Sequence, residues 1–349
     1  MLSYSAYIEP DQDKHSLKNA LFINDYELSD IGKHSMELLS DKSLSDLHNE
    51  FAWLVQSIWE YQDMQGGRFL PNDLWMKQGY CFFEAINTLR ESILAGLNSY
   101  LHVSIGGLRS TLELVLLHLF WESTKDDSSE MSEFDDWIYG RVSKLPFKRL
   151  VININNKFLF PTDWELTKNV ESIYGALCSY AHTPNLKESF TQIKNTNMPV
   201  TTQKALIYWM KLYIRTLKWI LHLLIACYPM SLFPVNSILK FGFNRPMGLF
   251  FDQMNIRPIL KVLGISNWKV YQGWYLKNDN NIKNLLEWHK NHPDKTLKQI
   301  KETWNKEEMR SKEYRKLKNI KSIKDPELEL LMFLVKIKIR AIQLSFVYK

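Results

Sequence analysis

The stretch that decides the fold is YLHVSIGGLRSTLELVLLHLFWE, residues 100–122. Advancing 100° per residue places Leu101, Leu108, Leu112, Val115 and Leu119 on one side of a helix. Val103, Leu114, Leu117 and Trp121 fall on nearly the opposite side. A helix that is apolar on two faces is a buried one, so the chain around it has to supply covering helices. His102, Gly106, Arg109 and Glu113 share a third stripe between the two faces. A charge buried alone is costly, so Arg109 and Glu113 each need a partner.

Working outward, apolar residues recur at helical spacing over 28–41, 44–64 and 74–97, the second carrying Leu47, Phe51, Leu54, Ile58 and Trp59 on one side. Asn72 is a suitable N-cap for the third. Shorter helices are expected near 131–143 and 146–157. Thr162 or Asp163 caps a segment that runs to His182 and stops at Pro184. After a polar linker, Thr201 and Thr202 open a helix to about Tyr228, closed by Pro229. Residues 230–267, interrupted by Pro234, Pro246 and Pro258, read as an irregular connection. Helices resume at 280–291, 295–318 and 325–347. The 349 residues are 45% hydrophobic and 13% aromatic, yet hold only 13 Gly and 12 Pro, too few turn signals for a β-sandwich or barrel. The expected class is all-α.

Other compositional features narrow the function. Cys81, Cys178 and Cys227 are odd in number and widely spaced, which argues against a disulfide framework or a zinc ribbon. The start, MLSYSAYIEPDQDKH, has neither the basic nor the apolar region of a secretory signal. The most apolar run, Trp219 to Val235, is interrupted by His222 and Pro229 and is too short to span a membrane. A cytoplasmic protein with no membrane partner, no cofactor and no metal is expected; His289 and His292 alone make a poor metal site. The net charge of +6 is uneven. Residues 277–324 hold 12 Lys and 2 Arg against seven acidic residues, a net +7, so the rest is close to neutral. Such a segment fits a polyanion-facing surface, or a solvated face of mixed charge pairs.

The helix ending at His182 repeats the polar stripe, with Glu171, Gly175, Cys178, Ser179 and His182 in line. Gly106 and Gly175 would let the two helix axes approach closely where the stripes face each other. A buried polar cluster of Arg109, Glu113, Ser179 and His182 is therefore expected. The alternative is an ordinary i, i+4 ion pair at Arg109 and Glu113, with His182 interacting with its own helix dipole.

The run SYLHVSIGGLRSTLELVLLHLFWE, followed some fifty residues later by SIYGALCSYAHT, resembles the arginine-glutamate helix and the "LSxxxH" helix of HEPN-like domains in bacterial and archaeal toxin and defence proteins. The resemblance covers about residues 75–228. It implies an antiparallel bundle of four or more helices, with Arg109, Glu113 and His182 as polar core positions. Many active members are ribonucleases that work as dimers through an Arg, a spacer of four to six residues and a His. Arg215 and His222, separated by TLKWIL, meet that spacing. They close a stripe of Lys204, Tyr208, Lys211, Arg215, Lys218 and His222, opposite an apolar face of Leu206, Met210, Leu217, Leu221 and Leu224. Cations to hold a phosphate and an imidazole to move a proton are what metal-independent RNA cleavage needs. A solvated surface helix reads the same way.

In NWKVYQGWYLKN, residues 267–278, Trp268, Tyr271, Trp274 and Tyr275 interleave with Lys269 and Lys277, and Arg310 and Arg315 lie further on in the basic segment. The pattern suits base stacking beside phosphate contacts, or helical core packing. The expected organisation is a HEPN-like bundle over 1–229, a Pro-containing connector over 230–276 and a basic helical region over 277–349. Two functions compete. The first is an RNA-directed effector of a toxin or antiphage defence system, RNA being favoured over DNA, with Arg215 and His222 catalytic. The second is a non-catalytic module that forms a homo-oligomer or joins a partner protein and binds nucleic acid through its basic region. Burial of Arg215 or His222 against its own core would favour the second.

Overall fold

The computed structural model describes residues 15–66, 74–124, 145–182, 202–235 and 255–306, with a few positions between these. For Asp25 and residues 62–66, 74–78, 181 and 182, only the backbone is described. Among the described residues every regular element is a helix, apart from one isolated bridge in which Val235 N–H donates to Phe251 O at 2.8 Å. The all-α expectation holds.

In chain order the helices are α1 (Leu17–Ala20), α2 (Asp30–Leu39), α3 (Ser45–Gly66), α4 (Leu74–Leu97) and α5 (Leu101–Thr124). They continue as α6 (Phe147–Lys157), α7 (Leu166–His182), α8 (Gln203–Cys227), α9 (Ile256–Leu263), α10 (Ile265–Asn278) and α11 (Asn280–Asn291). A further helix, α12, covers 297–306. A compact unit ends at Asp294, and the second begins at Lys295. In the second, Thr296 and Gln299 cap α12 reciprocally: Thr296 Oγ1 accepts from Gln299 N, and Gln299 Oε1 accepts from Thr296 N.

In the first unit α5 lies at the centre, packed against α4, α6, α7 and α8. Val115 through Glu122 are all buried, whereas Val103 and His102 are exposed. The two-faced burial expected of the whole helix therefore applies to its C-terminal half. A tight turn joins α4 to α5. Ser99 takes the left-handed conformation at φ 69°, and Tyr100 N–H reaches back to Ala95 O at 2.8 Å, which satisfies a carbonyl left open by the end of α4.

The glycines that permit close approach are not the expected ones. A Cβ on Gly107 would stand 2.5 Å from Ser92 Cβ, and one on Gly96 would strike the Trp209 indole. Gly106 and Gly175 have open space instead, so they bring no helices together. Gly107 is one residue further round the helix, and that 100° turns it toward α4.

Burial of polar groups has the same centre. Trp209 Nε1–H donates to Ser104 Oγ at 2.8 Å, Ser104 Oγ lies 2.7 Å from Tyr213 Oη, and Tyr213 Oη–H donates to Ser104 O at 2.9 Å. This closed chain ties α8 to α5 with all three residues buried. His118 Nε2 and Tyr228 Oη pair at 2.7 Å, and Tyr61 Oη pairs with Ser231 Oγ at 2.8 Å.

The connector expected over 230–276 carries α9 and most of α10. Pro258 is the third residue of α9, where a missing N–H interrupts no helical hydrogen bond. Phe251, Ile256, Ile259, Trp268, Tyr275 and Ile282 join the same apolar core as the bundle. The break after Tyr228 is thus a turn within one compact unit, which runs to Asp294.

Candidate nucleic-acid interface

Helix α8 is set by its cap and its apolar side. Thr202 Oγ1 accepts from Ala205 N at 3.2 Å, and Leu206, Met210, Leu217, Leu221 and Leu224 are buried. The opposite stripe faces outward. Lys204, Lys211 and Arg215 are exposed, and Arg215 Nη2–H donates to Ser172 Oγ of α7 at 3.0 Å. Lys218 is paired with Glu50 of α3, Nζ to Oε1 2.5 Å, so part of its charge is already met. Tyr208 is half-buried, edge-on to Tyr180 at 5.7 Å. The pairs Tyr180–Tyr208 and Ser172–Arg215 show that α7 and α8 run antiparallel. Small residues of α7, Gly175 exposed and Ala176 and Ser179 half-buried, lie between those two crosslinks in sequence.

His222, expected at the open end of this stripe, is turned into an aromatic enclosure. Its ring is edge-on to Trp164 at 4.6 Å, tilted against Trp219 at 5.0 Å and edge-on to Tyr271 at 6.2 Å. A carbonyl oxygen only accepts, so Nδ1–H donates to Lys218 O, one turn back, at 2.7 Å. Burial pulls the imidazole pKa below its ordinary value, opposed by the bond to the Lys218 carbonyl. The ring is neutral at pH 7, and one nitrogen is committed to holding it in place. A half-buried ring with a lowered pKa and one nitrogen committed is poorly set to act as a general acid, and it corrects the expectation of a fully solvent-facing imidazole. The cause is tertiary: Trp164 and Tyr271 arrive from other elements and cover a position the helical wheel leaves open.

The second expected site is present in altered form. Arg109 donates to Glu113 Oε1 from Nε at 3.2 Å and from Nη2 at 3.1 Å, with side chains 24% and 14% exposed. The third member is Tyr174 of α7. Its hydroxyl donates to Glu113 Oε1 at 2.8 Å and accepts from Arg109 Nη2 at 3.2 Å. Its ring lies under the guanidinium at 5.4 Å and stacks on Phe147 at 3.7 Å and 9°. Burial, reinforced by the hydrogen bond to the Glu113 carboxylate, raises the Tyr174 phenol to about 12. Ser179 is half-buried and outside this cluster. It comes five residues after Tyr174, about 140° round the helix. The His182 side chain lies outside the described residues. What remains is a polar tie between α5 and α7 whose groups answer one another. The sequence carries no signal of this role for Tyr174 and Phe147, because an aromatic at helical spacing reads as core.

The interleaved aromatic segment divides between core and surface. Trp268 and Tyr275 are buried, with Trp268 Nε1–H donating to Leu232 O at 3.0 Å and Tyr275 Oη–H to Leu159 O at 3.2 Å. They are core residues and offer no stacking surface. Tyr271 and Trp274 are half-buried, and Lys269 and Lys277 are exposed on α10. Arg310 and Arg315 lie outside the described residues. Among the described residues no group of three His, Cys, Asp or Glu side chains could hold a metal ion, and the three cysteines are free. One described helix, α5, is long and apolar enough to cross a membrane, and 56% of its most apolar window is buried inside the protein. Compared with known proteins, the chain matches no family model, no curated protein and no solved structure.

Proposed function

We propose that this protein is a helical nucleic-acid-binding module, without ribonuclease chemistry of its own, that engages the phosphate backbone through the outer face of α8. The observation that carries this reading is the pairing of an exposed cationic stripe, Lys204, Lys211 and Arg215, with a half-buried, neutral His222 whose Nδ1 is held by the Lys218 carbonyl. Cations without a free proton carrier fit holding a phosphate better than breaking one. RNA as the target, and a defence or toxin setting, rest on the HEPN resemblance of residues 75–228.

The test is fluorescence anisotropy with a labelled single-stranded RNA 15-mer, titrated with the full chain at 50 and 200 mM salt. Three phosphate contacts imply that affinity falls about 20-fold over that range. Replacing Lys204, Lys211 and Arg215 together by alanine should remove most of the affinity and flatten the salt dependence. Unchanged binding by the triple variant refutes the reading. So does RNA cleavage that a His222→Phe variant abolishes while still folding, which would restore the catalytic function.

A further inference from the structure

A row of cations answers to any polyanion, but the group of rings at the end of the row on α8 is selective. From Lys204 to Lys218 the stripe runs about 21 Å along the helix axis. Its next outward positions are occupied by rings. Trp219 and His222 are half-buried, Tyr271 of α10 is half-buried beside them, and Trp164 closes the floor, edge-on to both His222 at 4.6 Å and Tyr271 at 5.1 Å. The enclosure is therefore lined with rings whose outer parts reach solvent, directly after the last cation. Neither of its ionisable members brings a positive charge. Burial keeps the imidazole neutral, and it raises the Tyr271 phenol, with Asp163 adding to the effect from nearby. A phosphate is disfavoured beside that carboxylate. A flat, uncharged, aromatic group is not.

We infer that the enclosure formed by Trp219, His222 and Tyr271 is a base-stacking site, and that the ligand is single-stranded RNA. Its backbone runs along Lys204, Lys211 and Arg215 and one unstacked base lies against the rings. This deepens the proposed function and rests on it. A duplex keeps its bases stacked on one another and has none to offer, so it would use the cations alone. Base–aromatic stacking is tolerant of sequence, because every base has a π-face. The site accordingly selects strandedness more than sequence.

The experiment needs no variant for its first arm. The wild-type chain is titrated with a single-stranded adenine RNA 15-mer, with a 15-mer of the same backbone lacking its bases, and with the corresponding duplex. The base-bearing strand should bind about 10-fold or more tighter than the abasic strand, and the duplex no tighter than the abasic one. In the second arm, Trp219→Ala and Tyr271→Leu should bring the base-bearing strand down to the abasic level, with Trp219→Phe retaining most of the preference. The Lys211→Ala/Arg215→Ala variant should weaken all three ligands alike. Equal binding of abasic and base-bearing strands, still salt-dependent and still sensitive to Lys211 and Arg215, overturns the stacking site and leaves the proposed function standing. Insensitivity of every ligand to the stripe substitutions overturns both.

Discussion

Replacing Ser104 by alanine isolates the hydrogen-bonded chain that joins α5 to α8. The serine hydroxyl is the acceptor for Trp209 Nε1–H at 2.8 Å and sits 2.7 Å from Tyr213 Oη, with all three residues buried. In Ser104→Ala the indole N–H loses its acceptor, while Tyr213 keeps its bond to the Ser104 carbonyl at 2.9 Å. An unsatisfied buried donor costs about 1–3 kcal/mol. Alanine recovers up to about 0.5 kcal/mol through its better helix propensity. The net loss is then about 1.5 kcal/mol. Ser110 supplies the control on the same helix: it is exposed, and its hydroxyl bonds only Gly106 O at 3.1 Å. Ser110→Ala should be neutral or slightly stabilising. Urea denaturation followed by circular dichroism measures both, and the two variants should differ by about 2 kcal/mol. A difference below about 0.5 kcal/mol would refute the argument that this chain, rather than apolar packing alone, fixes α8 on α5.

Burial lowers the pKa of His222, of His48 and of His15 below the ordinary 6.5, and the His48 ring nitrogen accepts from Leu17 N at 3.1 Å, which protonation would forbid. The unfolded chain takes up protons first as pH falls, so stability is fully present above about pH 7 and is lost as pH drops through about 6.5, by at most about 1.4 kcal/mol per pH unit for each histidine. A urea midpoint unchanged between pH 7.5 and 5.5 would contradict this. Gly107→Ala should destabilise the fold by about 1–3 kcal/mol because its Cβ meets Ser92, read as a lower melting temperature, whereas Gly106→Ala should hold or raise that temperature. Tyr174→Phe removes the hydroxyl bridging Arg109 and Glu113 and should cost about 1 kcal/mol in denaturant titration. No change there would mean that the Arg109–Glu113 pair needs no third partner.

Signals that are local in the chain are the ones the sequence makes legible. Helices α4 and α11 begin and end where the periodicity places them, 74–97 and 280–291, and Thr202 caps α8, whereas the cap expected at Asn72 lies outside the described residues. Arg109 and Glu113 are four apart on one helix, so their pairing is readable without a neighbour. The misreadings share one cause. Pro258 reads as a breaker because its place in the first turn of α9 depends on a boundary the pattern does not mark. Tyr174 replaces Ser179 beside Arg109 because the rotation of α7 about its axis is fixed by packing, Phe147 included. His222 is partly covered by rings from Trp164 and Tyr271, about sixty and fifty residues away in sequence. One helical wheel contains no information about what a second helix lays over it.

The central position of α5 has a consequence for how the chain is made. Its cover is assembled from both directions: α4 precedes it by a three-residue turn, but α8 begins only at Gln203. At a synthesis rate of about 5–20 residues per second, the surface that receives Trp209 and Tyr213 stays open for roughly 4–16 s after Thr124 has been added. During that interval the emerging chain presents a helix apolar enough to enter a bilayer, shielded at first by its hairpin partner and then by α6 and α7, with the α8 side still open. The Ser104 hydroxyl, stranded on the open side until Trp209 arrives, makes that exposed surface less purely greasy while it waits. Attrition at this stage would set the yield of the protein independently of the stability of its finished fold.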